Sequence, residues 1–100
     1  MKKSELPADV VPYKRTPLFT ESSIPSGLLS NHSTKAGTWG LIVVEQGQLR
    51  YLITDPDRDA SAWLLTPDGE PGLVEPTVLH RVEPLGSVQF YVQFLRTPVE

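Results

Sequence analysis

The chain contains no cysteine in 100 residues. That absence excludes disulfides, thiolate zinc sites, iron–sulfur ligation and a thiol nucleophile. It has no basic surplus either, since nine Lys and Arg stand against twelve Asp and Glu for a formal net charge of −3. Adjacent cations occur only at Lys2-Lys3 and Lys14-Arg15, so no nucleic-acid partner is expected. No apolar run approaches the roughly 20 residues that a membrane helix needs. Met1–Pro7 carries lysines with no apolar segment behind them, unlike a secretory leader. The expectation is a cytoplasmic protein with no membrane contact. A sustained helical period is missing as well. Ten prolines and seven glycines instead break the chain into short apolar runs.

What remains is β-patterned. Trp39–Glu45 is β-branched and aromatic, Gln48–Ile53 alternates, and Gln46-Gly47 between them predicts a tight hairpin with positive φ at Gly47. Asp55–Asp59 is a polar loop, Ala62–Leu65 a strand, and Pro67–Gly72 strong turn chemistry. Gly72–Glu75 and Leu79–Val82 read as short strands on either side of a bend at Pro76. In the last strand Val88, Phe90, Val92 and Phe94 form an apolar face, against Gln89, Tyr91 and Gln93 on the other. Val10–Arg15 and Ile24–Leu29 each contain a proline and read as edge strands. Many short strands with frequent turns predict an all-β sandwich or closed barrel. One domain over residues 12–97, preceded by a flexible tail over 1–11, fits the length.

Several of these residues resemble a known family. Gly40 and Gly47 are spaced like the acidic residue and the glycine of the first cupin motif. Pro76-Thr77-Val78-Leu79-His80 resembles the second motif, in which a proline leads to the last metal-binding histidine. Tyr13–Pro17, Ser26–Leu29 with His32, and Phe90–Phe94 together resemble the small cupin-like domains related to the N-terminal part of TehB-type tellurite-resistance proteins. The resemblance spans about residues 12 to 97. It implies a cupin-like double-stranded β-helix, a small jelly-roll barrel with a pocket. It also implies a setting in tellurite, oxyanion or oxidative stress, and a homodimer by family habit.

The only two histidines, His32 and His80, fall at the two motifs. Imidazole is the commonest metal ligand among side chains, and it titrates near neutrality. The motif's acidic position is occupied here by Gly40, and its second histidine would fall near Thr34. The ligand set that the resemblance implies is therefore His32 and His80, with Glu75 as the candidate third ligand and Glu45 turned outward by strand parity. The metal expected is a divalent ion, zinc first, with iron, nickel or manganese as alternatives. The other reading is a non-catalytic homodimeric module whose pocket recognises a small metabolite, an oxyanion or a partner protein. Trp39, Trp63, Tyr51 and Tyr91 are candidate pocket aromatics, and Arg50 and Arg81 candidate anion-steering groups. Asp55, Asp57 and Asp59 lack the glycine and distant glutamate of a calcium loop and read as a solvated loop. No residue pattern names a reaction.

Overall fold

The structure is a computed structural model that describes residues 6–98. Six strands and one helical turn follow one another: β1 (Val11–Arg15), β2 (Phe19–Thr20), α1 (Ser26–Leu29), β3 (Thr38–Ile53), β4 (Ser61–Leu65), β5 (Gly72–Val74) and β6 (His80–Arg96). The β1 strand begins inside the stretch read as a tail, and residues 1–5 of that stretch lie outside the described residues.

One long antiparallel ribbon organises the fold. β3 and β6 pair along their whole lengths, from Thr38 opposite Arg96 to Ile53 opposite His80. β5 flanks the first half of β3 and β4 the second, while β1 and β2 line the other side of β6. The hairpin expected at Gln46-Gly47 does not form, because the chain runs straight through it as β3. Gly47 does have a φ of +80°, but it spends that freedom on a bulge. Positive φ serves a tight turn and a β-bulge equally, so the local signal cannot tell them apart. A Cβ at Gly47 would collide with the Ser87 carbonyl oxygen, which fixes glycine there. Extra residues on β3 near Glu45 and on β6 around Gly86 bend both strands at one place. Inward parity changes with the bulge: Ile42 and Val44 are buried before it, Leu49 and Tyr51 after it. The two short strands expected at 79–82 and 88–95 are likewise one strand, since Pro84–Ser87 is absorbed into that bend.

The bent ribbon buries Leu49, Val74, Val88 and Phe90 almost completely, with Phe19 packed edge-on against Phe90 at 5.6 Å. The all-β class is as expected. The sheet path β1-β6-β3-β4 is open, however, and β1 does not pair with β4, so the hydrogen bonds do not close a barrel. The stretch expected as an edge strand at 24–29 is the single turn α1 instead. Pro25 at φ −56° is set for the start of a turn, and the Leu28 amide donates to its carbonyl at 2.9 Å. Ile24 and Leu28 then lean on the core.

Candidate functional site

The two histidines, 48 positions apart in sequence, meet. The His32 amide donates to the His80 carbonyl at 3.0 Å, and the His80 amide returns a bond to the His32 carbonyl at 2.9 Å. This one-pair antiparallel bridge fastens the 30–38 loop to the start of β6. A third bond, from the Thr77 amide to the Thr34 carbonyl at 2.9 Å, extends the seam, with Thr77 held at φ +66°. On the far side, the Asp55 carboxylate accepts the amides of Asp57 at 2.8 Å and Leu79 at 3.0 Å. Those backbone bonds hold its carboxyl below the usual range. The Asp-rich loop thus anchors the residue before His80, a positioning task that a solvated-loop reading misses.

Residues directly opposite in an antiparallel pair place their side chains side by side. Here the imidazole centroids are 4.1 Å apart and tilted by 56°. Each ring is oriented by the same device. His32 Nδ1 donates to the Ser30 carbonyl and His80 Nδ1 to the Val78 carbonyl, both at 2.9 Å. A carbonyl only accepts, so each Nδ1 carries a proton, and a ring in its neutral form keeps its lone pair on Nε2. Among the described residues neither Nε2 has a hydrogen-bond partner, and no fully buried side-chain nitrogen or oxygen lacks one. The His80 Nε2 therefore opens onto accessible space although the residue is only 3% exposed. Burial, reinforced by the neighbouring His32, pushes the His80 pKa down to about 4, so this ring is neutral at physiological pH. The edge of Tyr51 supports it from behind at 5.6 Å, and the Tyr51 hydroxyl donates to the Leu73 carbonyl at 2.8 Å.

Both histidines line a cavity of about 290 Å³. Its apolar walls come from the inner face of the ribbon, Ile42, Val82, Phe90, Val92 and Phe94, together with Val74 of β5. Leu28 of α1 and Tyr13 and Lys14 of β1 border it, and His32, Thr34, Lys35, Thr38 and His80 supply the polar part. No Asp or Glu is among its lining residues. The short helix, β1 and the two lysines gave no sequence signal for this role, because their place depends on how the ribbon bends. Thr38 left a trace, as a hydroxyl on the apolar parity of β3.

Other candidates lie elsewhere. Glu75 is bound to Arg58 at 2.8 Å, and no group of three His, Cys, Asp or Glu suited to a metal ion occurs among the described residues. Gly40 occupies the acidic motif position for a packing reason, since a Cβ there would lie 3.2 Å from the Val74 Cβ. Arg50 and Arg81 do not border the cavity; both pair with Glu83, whose carboxyl they hold below its usual range. Of the aromatics, Trp63 stacks on Tyr51 at 5.7 Å and Arg15 sits 4.3 Å over Tyr91. None of the four lines the cavity. Gln93 ties β1 to β6, accepting from Arg15 Nε and donating to the Lys14 carbonyl.

The geometry defines a class: a small all-β domain whose bent antiparallel ribbon encloses an apolar cavity with paired imidazoles on its wall. The chain belongs to the TehB-like domain family, which matches residues 14–92. It is 35% identical over 80 residues to TehB of Haemophilus influenzae, a probable S-adenosyl-L-methionine-dependent methyltransferase. That match takes in 79% of this chain and 28% of the relative, so the chain spans under a third of the relative's length. The crystal structure of that species' TehB superposes with a TM-score of 0.82 at 29% identity, over 90% of this chain and 32% of the other. A crystal structure of an Escherichia coli K12 protein shares the fold with a TM-score of 0.84 at 20% identity, over 97% of this chain and all of that one.

Proposed function

We propose that this domain is a small-molecule recognition module, in which the cavity takes a compact ligand whose hydrogen-bond donor faces the Nε2 atoms of His32 and His80. The observation that carries this reading is the pair of imidazoles, each fixed through Nδ1 and with no Nε2 partner among the described residues, on the wall of a largely apolar cavity of about 290 Å³. Two lone pairs side by side call for a donor or a cation, and the volume is at the low end of small-molecule pockets. The methyl transfer named for the H. influenzae relative has no evident seat here. The described residues contain one four-residue helix and no glycine-rich turn between a strand and a long helix. The domain accordingly recognises a ligand rather than transferring a methyl group.

A second reading rests on the orientation of the rings. Metal-bound histidines characteristically donate their other ring nitrogen to a carbonyl or carboxylate, as both do here. Zinc or another divalent ion would find two ligands, whereas an open site usually has three from the protein. Calorimetric titration separates the readings. Recognition predicts saturable binding of phenol, a small apolar donor, lost in His80→Gln and in the cavity-filling Val82→Phe. The metal reading predicts one equivalent of zinc, lost in both His32→Gln and His80→Gln. Failure of the wild type to bind either phenol or its carboxylated analogue 4-hydroxybenzoate would overturn the first reading.

The homodimer belongs to the same proposal. β4 leaves one sheet edge free, with Trp63 41% and Leu64 54% exposed, and a second copy could add along it. Light scattering should then report a dimer that Leu64→Lys converts to monomer. A monomeric wild type would refute that pairing.

A further inference from the structure

The cavity's charge is opposite to that of the chain. The protein has a formal net charge of −3, yet the residues bordering the cavity include two lysines, two histidines and no carboxylate. Lys14 comes from β1 and Lys35 from the loop that carries His32, so two separate elements bring cations to one opening. No ion pair involves either lysine among the described residues, whereas Arg50, Arg58 and Arg81 are each matched to a glutamate. Three carboxylates are committed elsewhere: Asp55 to backbone amides, Glu75 to Arg58, Glu21 to the Val88 amide. Unmatched cations at the mouth of an apolar pocket disfavour a bare metal ion and favour an anion.

Resting on the recognition reading above, we propose that the ligand is a small hydroxylated carboxylic acid. Its apolar body lies against Val82, Phe90 and Val92, its hydroxyl donates to Nε2 of the buried His80, and its carboxylate meets Lys14 and Lys35. Each part of the pocket then has its chemical complement. An apolar wall removes hydrocarbon from water, neutral Nε2 atoms accept only from a donor, and ammonium groups pair with a carboxylate.

Three probes differing by one group test this: 4-hydroxybenzoate, benzoate without the hydroxyl, and phenol without the carboxylate. Binding is followed on the wild type by amide shifts of His32, Val82 and Phe90 in heteronuclear NMR. The expected result is that 4-hydroxybenzoate binds at least about tenfold more tightly than either truncated probe, the scale of a charge-assisted bond. Its advantage over phenol should shrink to within about threefold in Lys14→Met/Lys35→Met, and should also fall with added salt in the wild type. Both lysines are exposed, so the double variant leaves the core untouched. Phenol binding as tightly as 4-hydroxybenzoate, or a double variant that keeps the full advantage, overturns the anionic ligand while the recognition module stands. If no probe moves the cavity amides, both fail together.

Discussion

Acidification should unfold this protein earlier than its carboxylates alone would cause, and His80 is the reason. In the folded state its pKa lies near 4 because the ring is buried beside His32; the ordinary value is 6.5. A lowered folded pKa means that the unfolded chain binds the proton more readily. Stability is therefore full above about pH 6.5 and declines as the pH falls towards 4. At 1.36 kcal/mol per pH unit, the interval from 6.5 to about 4 amounts to about 3 kcal/mol, of which about 2 kcal/mol is lost by pH 5. With urea dependences of ~1–3 kcal/mol per molar, that loss lowers the urea midpoint by about 1 M. Urea titrations read by tryptophan fluorescence at pH 7.5 and 5 measure it directly. His80→Gln starts less stable but should lose most of the pH dependence in this window. Asp55, Glu83 and Glu21, whose carboxyls are all held below their usual values, add stability that disappears only at lower pH, as they are protonated. An equal midpoint shift in His80→Gln would refute the burial argument.

Three further outcomes follow from the packing. Gly47→Ala should cost about 3 kcal/mol, combining a left-handed backbone with a collision against the Ser87 carbonyl, and thermal unfolding would show a large drop in Tm. A neutral result would mean that the bulge is not where β3 turns its parity. Phe90→Ala should lose about 3–5 kcal/mol in denaturant titration, because a fully buried ring leaves both the core and the cavity wall. Gly40→Glu, which restores the acidic residue of the cupin motif, should destabilise the fold through Val74 and should not raise zinc uptake measured by elemental analysis. Stoichiometric zinc in that variant would contradict the packing argument.

The sequence disclosed the strand chemistry and the two histidines but not how they are joined. Alternation at Val88, Phe90 and Val92 translated directly into buried positions, because period two reports a face whatever the topology. Gly47 was legible as a positive-φ residue, yet its use in a bulge was not, since turn and bulge make the same local demand. Pro25 read as the mark of an edge strand but starts a helical turn instead, with Leu28 packed on the core. His80 could be singled out from its place after Pro76. That His32 lies directly opposite it depends on a two-bond bridge between segments 48 residues apart, and no local pattern encodes such a bridge. Lys14 and Lys35 were ordinary surface cations until the fold brought them to one opening.

Recognition by this pocket turns on two fixed imidazoles whose Nε2 atoms are left for a ligand. The most direct measurement is a long-range ¹⁵N–¹H spectrum of both rings at pH 7.5, recorded with and without 4-hydroxybenzoate. His80 should be the neutral Nδ1–H form, and its Nε2 signal should move towards the hydrogen-bonded value when the probe is added, with Nδ1 unchanged. A lone pair found on its Nδ1, or an Nε2 signal that stays still while the probe binds, would contradict this.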